Sequence, residues 1–115
     1  MQEALEKHPD ADGVYCTNAD MSDLYLSLEQ TDEQLPVMIG VDATTKQQAA
    51  VKDGREYGIV SQDPYEMGYQ TILAAAQMTA PERPEQSEET ELLEPAWIDS
   101  SNIEDPEYSN YIYRK

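Results

Sequence analysis

Three short apolar runs constrain the fold of this chain more than any other feature of its sequence. Each run is bounded by turn-forming residues, a pattern typical of buried strands. The runs are residues 14–17, 37–41 and 57–61. Helix-like stretches precede, separate and follow them, at residues 1–8, 20–30, 44–53 and 64–79. The order αβαβαβα predicts an α/β fold with a partial doubly wound (Rossmann-like) parallel sheet and right-handed crossovers.

The clearest local signal marks the start of the last helix. Asp63 is placed to cap this helix, Pro64 suits its first position, and Glu66 is placed to complete a capping box. At earlier helix ends, Gly54 is expected in the left-handed conformation and His8 is expected as a C-terminal cap. The helix boundaries are therefore predicted from chemistry as well as from periodicity.

The last helix, over residues 64–79, carries a broad apolar surface that little else in the chain is available to cover. Three parallel strands also make a thin sheet, since doubly wound domains usually have more. A βα unit normally begins with its strand, whereas this sequence opens on a helical stretch. We therefore expect the chain to be the C-terminal part of a larger protein.

This uncovered helix leads us to expect that the chain self-associates or partly unfolds on its own. A small domain that buries too little apolar surface is only marginally stable. Light scattering and thermal denaturation measure the two properties. A compact monomer that melts sharply and cooperatively would contradict the expectation.

Acidic side chains dominate the composition. The chain has 24 Asp and Glu against 7 Lys and Arg, a formal charge of -17. This balance argues against nucleic-acid contacts by this segment, because phosphate binding needs basic side chains. Residues 81–94 are rich in Pro, Glu, Gln and Ser and are expected to form an acidic loop or insertion. A short strand at 95–98 and a polar tail follow, and the tail tyrosines 108, 111 and 113 are expected to dock on a partner surface.

No motif for catalysis, metal or cofactor binding is evident, so we expect a protein that is not an enzyme and needs no cofactor. GxGxxG, GxxxxGK[ST] and GxSxG are absent, and residues 10–13 lack the spacing of a calcium loop. Cys16 is the one cysteine and is expected to be a small buried hydrophobe in a strand. No apolar run approaches the roughly 20 residues that cross a bilayer, and the first residues do not resemble a signal peptide.

A polar side chain follows each predicted strand: Asn18 after the first, Asp42 after the second and Gln62 after the third. Ligands of open α/β sheets bind outside the carboxyl ends of the strands, so these three side chains are the candidate ligand site. A carboxylate accepts hydrogen bonds from hydroxyls, and each amide both donates and accepts. The set suits a neutral polyhydroxyl ligand such as a sugar. The alternative for each residue is a helix cap or a turn, where Asn and Asp are common.

The residues around these positions resemble the C-terminal lobe of type 1 periplasmic sugar-binding proteins, the ribose-binding group. The segments that carry the resemblance, in the family's order and spacing, are 8–18 (HPDADGVYCTN), 37–42 (VMIGVD), 51–54 (VKDG) and 61–64 (SQDP) with MG at 67–68. In that family two α/β lobes, joined by a hinge, close over a sugar. The resemblance covers residues 1–79 and implies that Asn18, Asp42 and Gln62 are the ligands of the C-terminal lobe.

The resemblance also implies a division of the chain. Residues 1–62 would be a partial C-terminal lobe, and residues 63–80 a helix that belongs to the other lobe after the hinge. The acidic insertion 81–94 and a returning strand with the Tyr-rich tail, 95–115, would follow. The family commonly has Asp, an aromatic residue and Gly where this chain has Ala19, Val41 and Ala43. These departures bear on which ligand is bound.

The function implied by the resemblance is recognition of a monosaccharide-like carbohydrate by the substrate-binding protein of an ABC sugar transporter or by a sugar sensor. The partners would be a neutral sugar or polyol and an ABC permease or membrane sensor. The location would be extracytoplasmic (periplasm or cell-surface lipoprotein), with the signal sequence absent from this segment. The alternatives are the effector domain of a lactose-repressor-type transcription regulator, which shares the fold, and an acidic interaction module without a ligand.

Overall fold

The computed structural model of the chain describes residues 1–28, 36–79 and 92–113. Within those ranges four helices and four strands alternate, and a 3-10 helix, Pro106–Tyr111, follows the last strand. The helices are α1 (Gln2–Lys7), α2 (Ala19–Tyr25), α3 (Thr45–Lys52) and α4 (Pro64–Thr79). The strands are β1 (Gly13–Tyr15), β2 (Val37–Val41), β3 (Gly58–Ser61) and β4 (Ala96–Ile98). No helix in the described ranges is long and apolar enough to cross a membrane.

The four strands form one sheet in the order β1-β2-β3-β4. β1, β2 and β3 are parallel, as the sequence predicted, and β4 pairs with β3 in the antiparallel direction. The register places Gly13 opposite Val37 and Ile39 opposite Gly58. The α/β class and the partial parallel sheet are confirmed, and so is the additional strand after residue 95.

Helices α1, α2 and α3 pack against the sheet and contribute to two apolar clusters. The first cluster joins β2 to α2 and α3 and contains Cys16, Tyr25, Leu26, Met38 and Ala50. The second cluster joins β3 and β4 to α3 and contains Ala43, Val51, Ile59, Ile98 and Ile103. Side chains alternate between the two faces of a strand. On the opposite face, Tyr15, Val37 and Trp97 are accordingly exposed.

Helix α4 is the element that the rest of the chain leaves uncovered. It has no buried residue, and Ile72 is 72% exposed. The backbone N–H of Glu66 donates to Asp63 Oδ1 at 2.8 Å, so the predicted N-cap is confirmed. The expected capping box differs in its second half, because the Glu66 carboxylate accepts a hydrogen bond from Gln70 Nε2 at 2.7 Å. The uncovered apolar surface that the sequence predicted is therefore present.

Several predicted boundaries shift by a few residues. The helix expected over 20–30 ends at Tyr25, because the chain tightens there into hydrogen bonds to the third preceding residue, such as Ser27 N–H to the Leu24 carbonyl at 3.1 Å. Cys16 is buried as expected but lies directly after β1, not within it. His8 caps α1 and Gly54 has a φ of 75°, as predicted.

The C-terminal tail packs back onto this chain through two of its tyrosines. Tyr108 and Tyr111 pack against the second apolar cluster, and docking of the tail tyrosines on a partner stays a prediction. The polar tail thereby covers the end of the sheet near β3 and β4. The acidic segment predicted at 81–94 lies mainly outside the described residues.

Candidate functional site

The candidate site lies at the carboxyl edge of the three parallel strands. Asp42 follows β2 directly, Gln62 follows β3 directly, and Asn18 follows β1 after two intervening residues. Because neighbouring parallel strands end at the same edge, all three predicted residues lie at the carboxyl edge of the sheet. Their side chains are partly or largely exposed there.

Asp42 adopts a backbone conformation that few residues tolerate. Its φ is 68°, in the left-handed region where Asp and Asn are the most tolerated residues after glycine. Its N–H donates to the Val60 carbonyl at 3.1 Å, which extends the pairing of β2 with β3 by one residue. The chain therefore turns sharply away from the sheet at Asp42, and the surrounding structure must hold that turn.

Asp42 and Gln62 are brought together by the structure. Gln62 Nε2 lies 3.5 Å from Asp42 Oδ1, at the long limit of a hydrogen bond. The two side chains come from adjacent strands and carry the acceptor and donor groups that the sequence predicted. A ligand hydroxyl at this edge would meet both of them.

Asn18 has a second role that the sequence left open. Its Oδ1 accepts a hydrogen bond from the Met21 N–H at 2.9 Å, so it is the N-cap of α2. Capping uses the carbonyl oxygen and leaves the amide NH₂ as a donor. Among the described hydrogen bonds none joins Asn18 to Asp42 or Gln62.

Tyr113 is the site residue that sequence reasoning missed. Its N–H donates to the Ala43 carbonyl at 3.2 Å, directly beside Asp42. Burial raises the pKa of the Tyr113 phenol, and the negative charge of Asp42 raises it further. The sequence signalled only a tyrosine-rich tail, because nothing local indicates that residue 113 returns to residue 42.

A single glutamine holds the loop that follows β2. Gln47 Nε2 donates to the Val41 carbonyl at 3.2 Å, and Gln47 Oε1 accepts from the Thr44 N–H at 3.2 Å. Thr44 Oγ1 in turn accepts from the Gln47 N–H, which completes a capping box at the start of α3. Gln47 thus forms hydrogen bonds with the backbone on both sides of Asp42 and Ala43. The T-x-x-Q spacing of Thr44 and Gln47 is a sequence signal for this box.

Gln47 belongs to a buried polar cluster that we define as Ser22, Gln47 and Glu56. All three side chains are at most 1% exposed and surround the α-carbon of Gly40. Glu56 Oε1 accepts from Gln47 Nε2 at 3.1 Å, whereas Glu56 Oε2 has no partner among the described residues. Burial raises the pKa of Glu56 to about 7, the hydrogen bond from Gln47 opposes this, and the charge of Asp23 adds to it.

Cys16 lies near this cluster, and its thiol is a weak nucleophile. Burial, and then the charge of Glu56, raise the pKa of its thiol. A raised thiol pKa lowers the fraction of reactive thiolate. Across residues 1–28, 36–79 and 92–113, no group of three or more His, Cys, Asp or Glu is arranged to hold a metal ion.

Comparison with known proteins adds a family match. A family model described as "Periplasmic binding protein domain" matches residues 1–82. No curated protein matches the chain.

Solved structures give further matches, and the chain spans 35–38% of the length of the three described here. An ABC transporter solute-binding protein from Agrobacterium vitis, bound with alpha-D-tagatopyranose, is 22% identical over 99% of this chain, with a TM-score of 0.83. A carbohydrate transporter solute-binding protein from Agrobacterium radiobacter, in complex with D-arabinose, is 26% identical over 97%, with a TM-score of 0.70. A protein from Brachyspira murdochii described as "ABC transporter, LacI family transcriptional regulator" is 26% identical over 90%, with a TM-score of 0.70.

Proposed function

Because the chain belongs to the periplasmic binding protein domain family, we propose that it contributes the C-terminal-lobe part of a sugar-binding site. The parent protein would be the substrate-binding protein of an ABC sugar transporter or a sugar sensor. The observation that carries the proposal is the pairing of Asp42 with Gln62 at the carboxyl edge of the parallel strands. The solved relatives with bound tagatopyranose and arabinose support a monosaccharide as the ligand class.

Each proposed ligand residue has a distinct task. The Asp42 carboxylate accepts hydrogen bonds from sugar hydroxyls, which are the strongest contacts because the acceptor is charged. Gln62 offers its amide beside that carboxylate, and Asn18 offers the NH₂ group that remains after helix capping. Such a site binds and orients a neutral ligand and contains no group assigned to a chemical step.

The division of the chain follows from the same proposal. Residues 1–62 form the partial C-terminal lobe, and residues 63–80 form a helix that packs in the other lobe. The exposed apolar surface of α4 supports this assignment, since a helix of a soluble lobe buries such a face. Residues 81–94 are then an acidic insertion, and residues 95–115 return to the first lobe. Polypeptide outside these 115 residues would supply the rest of the two-lobed fold.

The partners and location follow the family. A periplasmic binding protein acts outside the cytoplasm, and we propose that closure of two lobes over the sugar is the signal that an ABC permease or a membrane sensor reads. Anchoring as a cell-surface lipoprotein is the finer form of this proposal. The family is one of binding proteins, so binding and not catalysis is the proposed activity.

The second candidate is the effector-binding domain of a lactose-repressor-type regulator. The Brachyspira murdochii protein, which is described as both transporter and regulator, supports this second candidate. Both candidates bind small ligands with this fold, so the site alone does not separate them. A lipoprotein signal upstream in the complete gene would support the transport protein, and a helix-turn-helix segment would support the regulator.

Replacing Asp42 tests the ligand site in the 115-residue chain. We expect D-tagatose or D-arabinose to bind in the millimolar range or weaker, since only part of the site is present. The binding should shift the backbone NMR signal of Asp42 and the side-chain amide signals of Asn18 and Gln62. Asp42→Ala should abolish these shifts, because each hydroxyl bonded to the carboxylate contributes about 1.5–3 kcal/mol.

Two further variants separate binding from folding. Asp42→Asn tolerates the left-handed backbone and removes only the charge, so it should weaken binding while the fold is kept. Asp12→Asn changes an exposed carboxylate at the amino edge of the sheet and should leave the titration unchanged. If Asp42→Ala gives the same sugar-dependent shifts as the unaltered chain, the proposal is rejected.

A further inference from the structure

Asn18 is fixed to helix α2 by three hydrogen bonds. Its Oδ1 accepts from the Met21 N–H at 2.9 Å, and its carbonyl accepts from the Ser22 N–H at 3.1 Å. The Ser22 hydroxyl donates to the same carbonyl at 3.0 Å. Asn18 therefore moves with α2, whereas Asp42 and Gln62 lie on the loops that follow β2 and β3. The place of Asn18 in the candidate site depends on what holds α2 against those loops.

Asp23 joins α2 to the loop that carries Asp42. The hydroxyl of Thr44 donates to Asp23 Oδ1 at 2.8 Å. Thr44 follows Asp42 by two residues and is the N-cap of α3, where its Oγ1 accepts from the Gln47 N–H at 3.2 Å. The proton of the Thr44 hydroxyl is thus used by α2 and its oxygen by α3. One side chain thereby connects the two helices and the loop between β2 and α3.

A lysine of α3 bonds to the same residue. Lys46 Nζ donates to the Asp23 carbonyl at 2.7 Å and also contacts Ser27 Oγ. Asp23, Thr44 and Lys46 are each partly buried, so water competes with these bonds only in part. We define these three residues as the α2–α3 junction. The start of α3 therefore holds Asp23 by both its side chain and its carbonyl.

Apolar packing also holds α2, through Tyr25 and Leu26 in the first cluster. Such packing is non-directional, so it keeps the helix against the sheet without fixing its exact place there. The hydrogen bond between Asp23 and Thr44 is directional. It can therefore set the position of α2 relative to the loop after β2.

We propose that Asp23 is a positioning residue of the candidate site. Through Thr44 it fixes α2, and with it Asn18, relative to the turn at Asp42. This inference rests on the proposed sugar-binding function. A displacement of about 0.5 Å takes an ordinary hydrogen bond out of its usual range of length. A sugar held by both Asn18 and Asp42 therefore requires that the spacing between them is kept.

A double-mutant cycle in the 115-residue chain tests the contact. Asp23→Ala removes the carboxylate, and Thr44→Val removes the hydroxyl with little change in volume. The lost helix cap of Thr44→Val is common to the single and double variants, so it cancels. Urea denaturation should give the double variant a folding equilibrium constant about ten-fold higher than the product of the two single effects predicts. Independent effects, which simply multiply, overturn the proposal.

The positioning role is measured on the NMR signals of the Asn18 side-chain amide, without any sugar. Thr44→Val changes a different element from the one that carries Asn18, and it should shift these signals. Thr44→Ser restores the hydroxyl and should return them. Thr45→Val is the matched control, because Thr45 is exposed and its side chain makes no hydrogen bond among the described residues. Signals that stay in place in Thr44→Val, or that Thr44→Ser does not restore, overturn the positioning role.

Titration of the same chain with D-tagatose and D-arabinose tests the route to the ligand. Asp23→Ala should weaken binding by up to about five-fold, the contribution of one hydrogen bond from Asn18. Asn18→Ser keeps a helix cap but removes the NH₂ donor. In that background Asp23→Ala should weaken binding no further. A second loss of the same size there shows that Asp23 acts by another route and overturns the inference.

These measurements separate the inference from the function on which it rests. The cycle and the Asn18 signals need no ligand, so they decide the inference even where the chain shows no sugar-dependent shift. If Asp42→Ala keeps the sugar-dependent shifts while Thr44→Val moves the Asn18 signals, the proposed function fails and the role of the junction stands. If Asp42→Ala abolishes the shifts and the Asn18 signals do not move, the function stands and the inference is wrong.

Discussion

Replacing Glu56 by glutamine is expected to make the chain more stable at alkaline pH. The carboxyl group is buried, and its pKa is raised from 4.5 to about 7. The folded state therefore binds a proton more tightly than the unfolded state does. The stability that this group contributes is complete below about pH 4.5 and is lost as the pH rises through about 7. Glutamine stays neutral and does not lose it.

The size of the effect follows from the difference between the two pKa values. One pKa unit corresponds to about 1.4 kcal/mol, so ionisation of Glu56 costs the folded state on the order of 3 kcal/mol. Urea denaturation should find Glu56→Gln more stable than the unaltered chain by about 2–3 kcal/mol near pH 8.5. Below about pH 4.5 the two free energies of unfolding should be similar.

Glu104→Gln is the control for this comparison. Glu104 is exposed, and Lys52 lowers the pKa of its carboxyl through a hydrogen bond and charge attraction. A lowered pKa contributes stability that is lost as the pH falls, so this variant should show a small pH dependence of the opposite sense. A Glu56→Gln protein that is no more stable than the unaltered chain near pH 8.5 would refute the raised pKa of Glu56.

Replacing Gly40 by alanine is expected to destabilise the chain strongly. A β-carbon at this position would lie 2.3 Å from Glu56 Oε1, 2.5 Å from Gln47 Nε2 and 2.8 Å from Ser22 Oγ. All three side chains are buried, so they have little room to yield. Overpacking a core costs about 1–3 kcal/mol, and breaking the Gln47–Glu56 hydrogen bond adds about 1 kcal/mol or more.

The same substitution should disturb the candidate site at a distance. Gln47 holds the Val41 carbonyl and the Thr44 N–H, which flank Asp42, so moving its side chain loosens that turn. We expect the Asp42 amide signal to shift in Gly40→Ala even without a sugar. Hydrogen exchange of that amide should also become faster.

Gly68→Ala is the matched control for Gly40→Ala. Gly68 lies in α4, where an added β-carbon meets no atom within 4 Å. Alanine there should stabilise the helix by about 0.5–1 kcal/mol, because glycine is a poor helix former. If Gly40→Ala unfolds at the same urea concentration as Gly68→Ala, the close packing around Gly40 is contradicted.

The buried polar cluster connects these stability predictions with the proposed function. Gln47 lies between a carboxyl group with a raised pKa and the turn that presents Asp42. A strained φ at Asp42 persists only where its surroundings hold it, and Gln47 supplies two of the hydrogen bonds that do so. The stability of the sheet and the geometry of the site therefore share one set of side chains.

Much of the fold was predictable from local sequence. Short apolar runs predicted β2 and β3 within a residue, since strands buried by flanking helices leave little choice of residue type. The signals at Asp63, Gly54 and His8 were confirmed, because caps depend on residues near in sequence. The family resemblance, drawn from short segments in a fixed order, was also confirmed.

The candidate site was predictable only in part. The rule that ligands lie beyond the carboxyl ends of strands located Asn18, Asp42 and Gln62, and the structure joins the last two. Their roles as sugar ligands stay predictions. The helix-capping bond of Asn18 was one of two alternatives that the residue type allowed.

The sequence alone determined the α/β order, the helix caps and the polar residues at the strand ends, because each depends on periodicity or on neighbours a few residues away. Tertiary structure decided the rest. It placed the backbone of Tyr113 beside Ala43, made β4 antiparallel, and buried Glu56 next to Gly40. These features join residues far apart in the chain. They arise only when the strands and helices pack together and exclude water from particular groups.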